Sequence, residues 1–159
     1  MSEYIKSIRK HVGHERIMTV GSSIIIHKNG KLLLQKRNDN GCWGEHGGYA
    51  EIGETVENAA KRELFEETGL IANSLELVGV FSGEELFHTY PNGDMVANTD
   101  ILYICEDFCG EISMQLDEVS DLQWFDIENL PKNISPPSIP GLMKCVEILK
   151  DRRKKEQSA

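Results

Sequence analysis

The stretch Gly47-Gly48-Tyr49-Ala50-Glu51-Ile52-Gly53-Glu54-Thr55-Val56-Glu57-Asn58-Ala59-Ala60-Lys61-Arg62-Glu63-Leu64-Phe65-Glu66-Glu67-Thr68-Gly69-Leu70 holds six glutamates and only two basic residues. Glycines crowd its start, where a backbone without Cβ lets a metal or a phosphate come close. Thr55 is placed to cap a helix, Ala59 and Ala60 favour one, and Gly69 is placed to end it. At about 3.6 residues per turn, Glu63, Glu66 and Glu67 stand at i, i+3 and i+4, so their carboxylates share one patch. That patch continues the stripe of Val56, Ala59 and Ala60. If the apolar half of the stripe faces the protein, the acidic half faces inward with it.

Crowded carboxylates repel one another, and burial raises the cost. Bound cations are the compensation, and hard oxygen ligands favour Mg²⁺ or Mn²⁺. Arg62 keeps its proton beside the cluster and can steady one carboxylate, Glu54 being the candidate, through a bidentate pair. The competing view is a solvated, charge-laced surface helix. Against it, the acidic patch has no matching lysines at i+4 and lies on the inward stripe.

Working outward, Lys28-Asn29-Gly30 is a hairpin signal between Ile17–His27, rich in β-branched residues, and Lys31–Lys36. A loop is expected from Arg37 to His46, anchored by Trp43. Further strands are expected at Leu75–Phe81, Val96–Cys105 and Leu122–Phe125. Ile5, Ile8 and Val12 at helical spacing suggest a leading helix within residues 1–13, and Leu142, Val146 and Leu149 one over 141–155. The expected architecture is α+β: a mixed sheet with flanking helices, an α/β/α sandwich, in one domain over residues 1–159. Each terminal helix offers a surface for a homodimer.

Composition narrows the partners. A net charge of −9 argues against binding a phosphate backbone, leaving a small anionic substrate bridged by metal. No apolar run reaches the length of a membrane span and the N-terminus lacks a secretory pattern, so the chain is read as cytoplasmic and away from membranes. Cys42, Cys105, Cys109 and Cys145 show no metal spacing and are taken as free thiols.

Gly48, five residues, Glu54, seven residues, Arg62-Glu63-Leu64, one residue, Glu66-Glu67, one residue and Gly69-Leu70 match every specified position of the box that marks the Nudix hydrolase family, which the chain therefore resembles. The resemblance implies metal-dependent attack of water on a phosphorus of a nucleoside diphosphate linked to some group X. It also implies that Glu63, Glu66 and Glu67 are metal ligands, with the Gly47 carbonyl as another, and that Glu54 and Arg62 orient the cluster. The general base stays open among Glu63, Glu67 and a glutamate outside the box. Glu118, six residues before Trp124, is a candidate ligand or base there, and the alternative for it is an exposed loop acid. A non-catalytic nucleotide-sensing module on the same fold is the competing function; the intact acidic triad and Arg62 count against it.

Many members enter the box with proline before the paired glycines, whereas this chain has Glu45-His46-Gly47-Gly48, which predicts a less rigid entry. His46 is a candidate phosphate contact, with a solvent-facing loop position expected instead. Trp43 is a candidate for stacking on a base, with a core anchor preferred. Arg37 and Tyr90 complete the candidate substrate contacts. The selectivity loop is placed at Ser82–Thr99, with packing expected for Phe87. Proline about fifteen residues past the box, common in ADP-ribose types, is replaced by Glu84-Glu85-Leu86, and Phe87 stands near the tyrosine position of dinucleoside polyphosphate types. The NADH and coenzyme A signatures are missing. Nucleoside triphosphates, nucleotide sugars and an atypical ADP-ribose substrate remain.

Overall fold

The computed structural model describes residues 2–114 and 118–158. A leading helix, α1 (Glu3–Val12), is capped by Ser2, whose hydroxyl accepts from the Ile5 N–H. Two long strands follow, β1 (Ile17–Lys28) and β2 (Lys31–Arg37), joined at Asn29 and Gly30. Both turn residues have positive φ, 52° and 74°, as the expected tight hairpin requires.

Short strands β3 (Trp43–Gly44) and β4 (His46–Tyr49) lead into the box helix α2 (Val56–Thr68). Thr55 caps α2 through the Asn58 N–H, and Gly69 closes it in the left-handed conformation. Then come β5 (Ile71–Ala72), β6 (Glu76–Phe81), β7 (Phe87–Thr89), β8 (Met95–Cys105), β9 (Phe108–Cys109), β10 (Val119–Asp126) and the terminal helix α3 (Ile139–Gln157).

The main sheet runs β10-β2-β1-β8-β6, with β3 on β2, β4 on β1 and β7 on β8. The β1–β8 pair is parallel and its neighbours are antiparallel, so the sheet is mixed as expected. Side chains alternate across it. Ile24, Ile26 and Leu33 pack with Ala60 and Leu64 of α2, whereas Ile25, Leu32, Leu34, Leu102 and Ile104 pack with Leu142, Cys145, Val146 and Leu149 of α3. Both faces of the sheet are covered, and β1 and β2 are apolar in unbroken runs for that reason. Among the described residues, no helix is long and apolar enough to cross a membrane.

Two features differ from expectation. Within the expected Arg37–His46 loop, Trp43, Gly44 and His46 are held by strand pairing, with Gln35 opposite Gly44 and Ile24 opposite His46. In α1 only Ile5 of the expected stripe is buried, while Val12 is exposed.

Candidate functional site

The box helix is tied to the sheet at its first turn, where the Ser22 hydroxyl donates to the Val56 carbonyl at 2.6 Å. One turn on, Ala59 and Ala60 are fully buried, and the same helical face delivers Glu63 and Glu67 inward. Glu67 is buried and accepts from the Gly47 N–H at 3.1 Å. The Glu63 side chain is 15% exposed and the Glu66 side chain 49%, so the patch is graded, with Glu66 at its wet margin. Burial raises Glu63 above the usual carboxylate range; Arg62 opposes this, and Glu67 and Glu66 add to it.

Arg62 organises the cluster. Its Nε and Nη2 donate to the two oxygens of Glu54 at 2.9 and 3.0 Å, the bidentate pair expected from the sequence. Nη1 donates to Glu63 at 2.6 Å and to Glu66 at 3.3 Å, and Nη2 also reaches the Tyr49 carbonyl at 3.2 Å. The Glu54 carboxyl is held below its ordinary range chiefly by the hydrogen bond from Arg62. Its Oε2 also accepts from the Glu51 N–H at 3.1 Å, which locks the turn before the helix.

Two glycines bring backbone against these acids. A Cβ on Gly48 would stand 2.5 Å from the Glu63 carboxyl carbon, and one on Gly47 would stand 2.6 Å from the Ser22 carbonyl oxygen. Among the described residues, no three acidic, histidine or cysteine side chains are gathered closely enough to hold a metal ion by themselves. The donor set nevertheless suits a hard cation. Glu63 and Glu67 face one cavity beside Gly47, and their mutual repulsion is what a divalent ion relieves. That cavity is about 530 Å³ and reaches from Glu63 and Glu67 to α1 and β8.

A NUDIX domain model matches residues 17–144. The chain belongs to the Nudix family. An ADP-ribose pyrophosphatase of Methanocaldococcus jannaschii is 40% identical over 111 residues, which is 68% of this chain and 62% of that protein. The NAD-capped RNA hydrolase NudC of Vibrio cholerae is 31% identical over 110 residues, 68% of this chain and 37% of that protein. The chain thus spans less than two thirds of either relative. Among solved structures, a MutT NUDIX hydrolase from Burkholderia pseudomallei superposes with a TM-score of 0.69 at 29% identity, covering 80% of this chain and 98% of that one.

Outside the Nudix box the structure sorts the candidates. Glu118 and Arg37 line the cavity, and Arg37 donates twice to Asp39, at 3.0 and 2.9 Å. Tyr90 lines it too, its hydroxyl 2.7 Å from that of Tyr49 and its ring edge-on to His88. Trp43 is buried, edge-on to Phe125 at 4.8 Å in the α3-side core, so it anchors the chain and offers no stacking face for a base.

His46 corrects an expectation. It is fully buried rather than solvent-facing, because β4 pairs with β1 and carries the ring inside. Its Nε2 lies 3.1 Å from the Leu33 carbonyl, and its Nδ1 is 3.7 Å from Glu67 Oε2 without a hydrogen bond. The imidazole therefore backs the acidic cluster and is closed off from a substrate phosphate. Phe87, expected to pack, is 38% exposed with the Arg16 guanidinium 4.3 Å above its ring.

Leu86, His88, Tyr90, Asp94, Val96, Asn98 and Asp100 all line the cavity. Apart from the turn at Asn92, these are alternate positions from Leu86 to Asp100 through β7 and β8, a period of two that the sequence itself carries. On β8, Asn98 and Asp100 continue the row of Leu102 and Ile104, where apolar core gives way to polar groups on one face. Ser2, Ile5 and Arg9 of the leading segment also line it, which no local pattern in α1 announces.

Proposed function

We propose that this Nudix domain hydrolyses the diphosphate linkage of a nucleoside diphosphate joined to a group X: a nucleoside triphosphate, a nucleotide sugar or an ADP-ribose-like compound. The carrying observation is that Glu63 and Glu67, with the Gly47–Gly48 backbone beside them, open onto a cavity large enough for a nucleotide. Glu63, Glu66, Glu67 and the Gly47 carbonyl would hold Mg²⁺ or Mn²⁺, with Glu118 a further oxygen donor on the cavity wall. When bound, such an ion supplies a lowered pKa for water and neutralises charge developing on the phosphoryl oxygens.

The chain's own groups then do the positioning. Arg62, fixed by both oxygens of Glu54, holds Glu63 and Glu66 in place and offsets their charge. A carboxylate of the cluster, Glu63 or Glu67, or Glu118 across the box boundary, takes the proton of the attacking water. Arg37 and Tyr90 contact the remainder of the substrate. The archaeal relative's name, ADP-ribose pyrophosphatase, supports a diphosphate-linked nucleoside as the substrate class.

The test is incubation with Mg²⁺ or Mn²⁺ and a nucleotide panel, following release of phosphate, pyrophosphate or nucleoside monophosphate. Turnover is expected, and Glu67→Gln should lower kcat at least about 100-fold while leaving the circular dichroism spectrum intact. Absence of turnover on every nucleotide overturns the enzyme assignment, and retained nucleotide binding would then favour a sensing module. Full activity in Glu67→Gln overturns the metal cluster.

A further inference from the structure

Beyond the acidic cluster the cavity has a second end with different chemistry, built on the α3-facing side of β1 and β8. Thr19 Oγ1 donates to Asn98 Oδ1 at 3.0 Å, which leaves the Asn98 Nδ2 donor turned away from that contact. Two residues on, Ser23 Oγ donates to Asp100 Oδ1 at 2.8 Å, and Asp100 Oδ2 has no hydrogen-bond partner among the described residues. Both side chains are admitted by Gly21, whose Cβ would stand 2.9 Å from Asn98 Nδ2 and 3.1 Å from Asp100 Oδ1. Any other residue there would displace them. A fixed donor and a fixed acceptor thus sit side by side on the cavity floor.

The walls at this end are apolar. Ile5 of α1, Leu86 and Val96 line the cavity, each no more than 5% exposed. A flat ring can cover such walls and still present a polar edge to the floor. A sugar would have to bury hydroxyls against aliphatic carbon, which costs free energy when they go unpaired.

We infer that this end is a nucleobase subsite, and that Asp100 and Asn98 select a base whose edge pairs an exocyclic amine with an unprotonated ring nitrogen, as in adenine and cytosine. The amine donates to Asp100 and the ring nitrogen accepts from Asn98 Nδ2. With Asp100 ionised, as it is above about pH 7, a base with a carbonyl and a ring N–H in those places meets each group with the wrong partner. Burial, with the Glu45 carboxylate nearby, pushes Asp100 up to about 7 against the pull of Ser23. An acid so placed gains from a donor that a ligand brings. The inference rests on the reading of the Nudix box as a diphosphate site, since the box fixes where the phosphates lie.

The test uses matched substrates that differ only at this edge, at about pH 8.5 where Asp100 is ionised: adenosine against inosine triphosphate and cytidine against uridine triphosphate, each with Mg²⁺. Wild type should prefer the amino member of each pair at least tenfold in kcat/KM, with the difference in KM. In Asp100→Asn, which keeps an acceptor for Ser23, the loss should fall on the amino members and shrink both ratios toward one. Ile5→Trp, filling the apolar wall, should raise KM for all four with kcat little changed. Equal use of both members by wild type, or an equal loss for both in Asp100→Asn, overturns the subsite while leaving the hydrolase assignment standing. No turnover of any of the four by wild type, with hydrolysis of other diphosphate-linked compounds, also overturns the base preference alone. No turnover of any compound overturns both.

Discussion

A single methyl group separates two kinds of glycine in this box. At Gly47 an added Cβ would meet backbone, the Ser22 carbonyl oxygen at 2.6 Å and the Ser23 Cα at 2.7 Å, which the paired strands cannot yield. At Gly48 it would meet only the carboxyl end of Glu63, which can swing aside. Gly48→Ala should therefore leave the melting temperature nearly unchanged and displace Glu63, cutting kcat about tenfold or more. Gly47→Ala should destabilise the fold itself. Equal effects of the two changes on stability would refute this division, and thermal unfolding beside steady-state rates measures it.

Asp100 belongs to the same scale. Its folded pKa of about 7 lies above the usual carboxylate value. Below pH 4 both folded and unfolded chains hold this proton. Between about pH 4 and 7 the unfolded chain sheds it more readily, so the contribution of Asp100 to stability is lost as pH rises through that window. Asp100→Asn cannot ionise. Relative to wild type it should gain stability of about 4 kcal/mol at pH 8 compared with pH 4, read from melting curves at both values. A wild-type-minus-variant difference that stays flat with pH would sink this assignment.

At the scale of elements, α1 stands apart because one side chain does most of the holding. Arg9 donates to the Gly13 carbonyl at 3.0 Å, to that of Glu15 at 2.6 Å and to that of Met95, at the start of β8, at 2.7 Å. Below it, Asp94 is held by His14 at 2.7 Å and by Asn92 at 2.9 Å. Arg9→Ala should free α1 from β8 and open one wall of the cavity, raising KM severalfold with a smaller change in kcat. A selective loss in kcat would argue instead that α1 supports the chemistry. The bounds of α1 could be read from its own residues, as could the β1–β2 hairpin and the capped box helix, because each carries its period and its end signals internally. Its task could not. Whether Ile5 faces a core or a ligand depends on Leu86 and Val96, far along the chain. The short strands escaped for a related reason: His46-Gly47-Gly48-Tyr49 has no β pattern of its own and becomes a strand because β1 lies beside it. Burial of His46 follows from that pairing alone.

At the scale of the whole molecule, charge decides what can enter. The chain carries −9, and among the described residues that line the cavity seven are acids and two are arginines. Arg37 is already paired with Asp39, and Arg9 lies 3.7 Å from Asp94. A polyphosphate approaching such walls is repelled unless cations come with it. Divalent ions should therefore stabilise the fold even without substrate, because they bind the native acidic cluster and not the unfolded chain. At about 100 times the dissociation constant this linkage is worth about 2.7 kcal/mol, and for a chain of this length about 5–10 °C in melting temperature. Mg²⁺ or Mn²⁺ should produce a saturable rise of that order, whereas sodium chloride at equal ionic strength should not. Glu67→Gln should remove most of the rise while keeping its own metal-free melting temperature near that of wild type. If the rise survives that change, the cations are held elsewhere on the acidic surface and the box is not what gathers them.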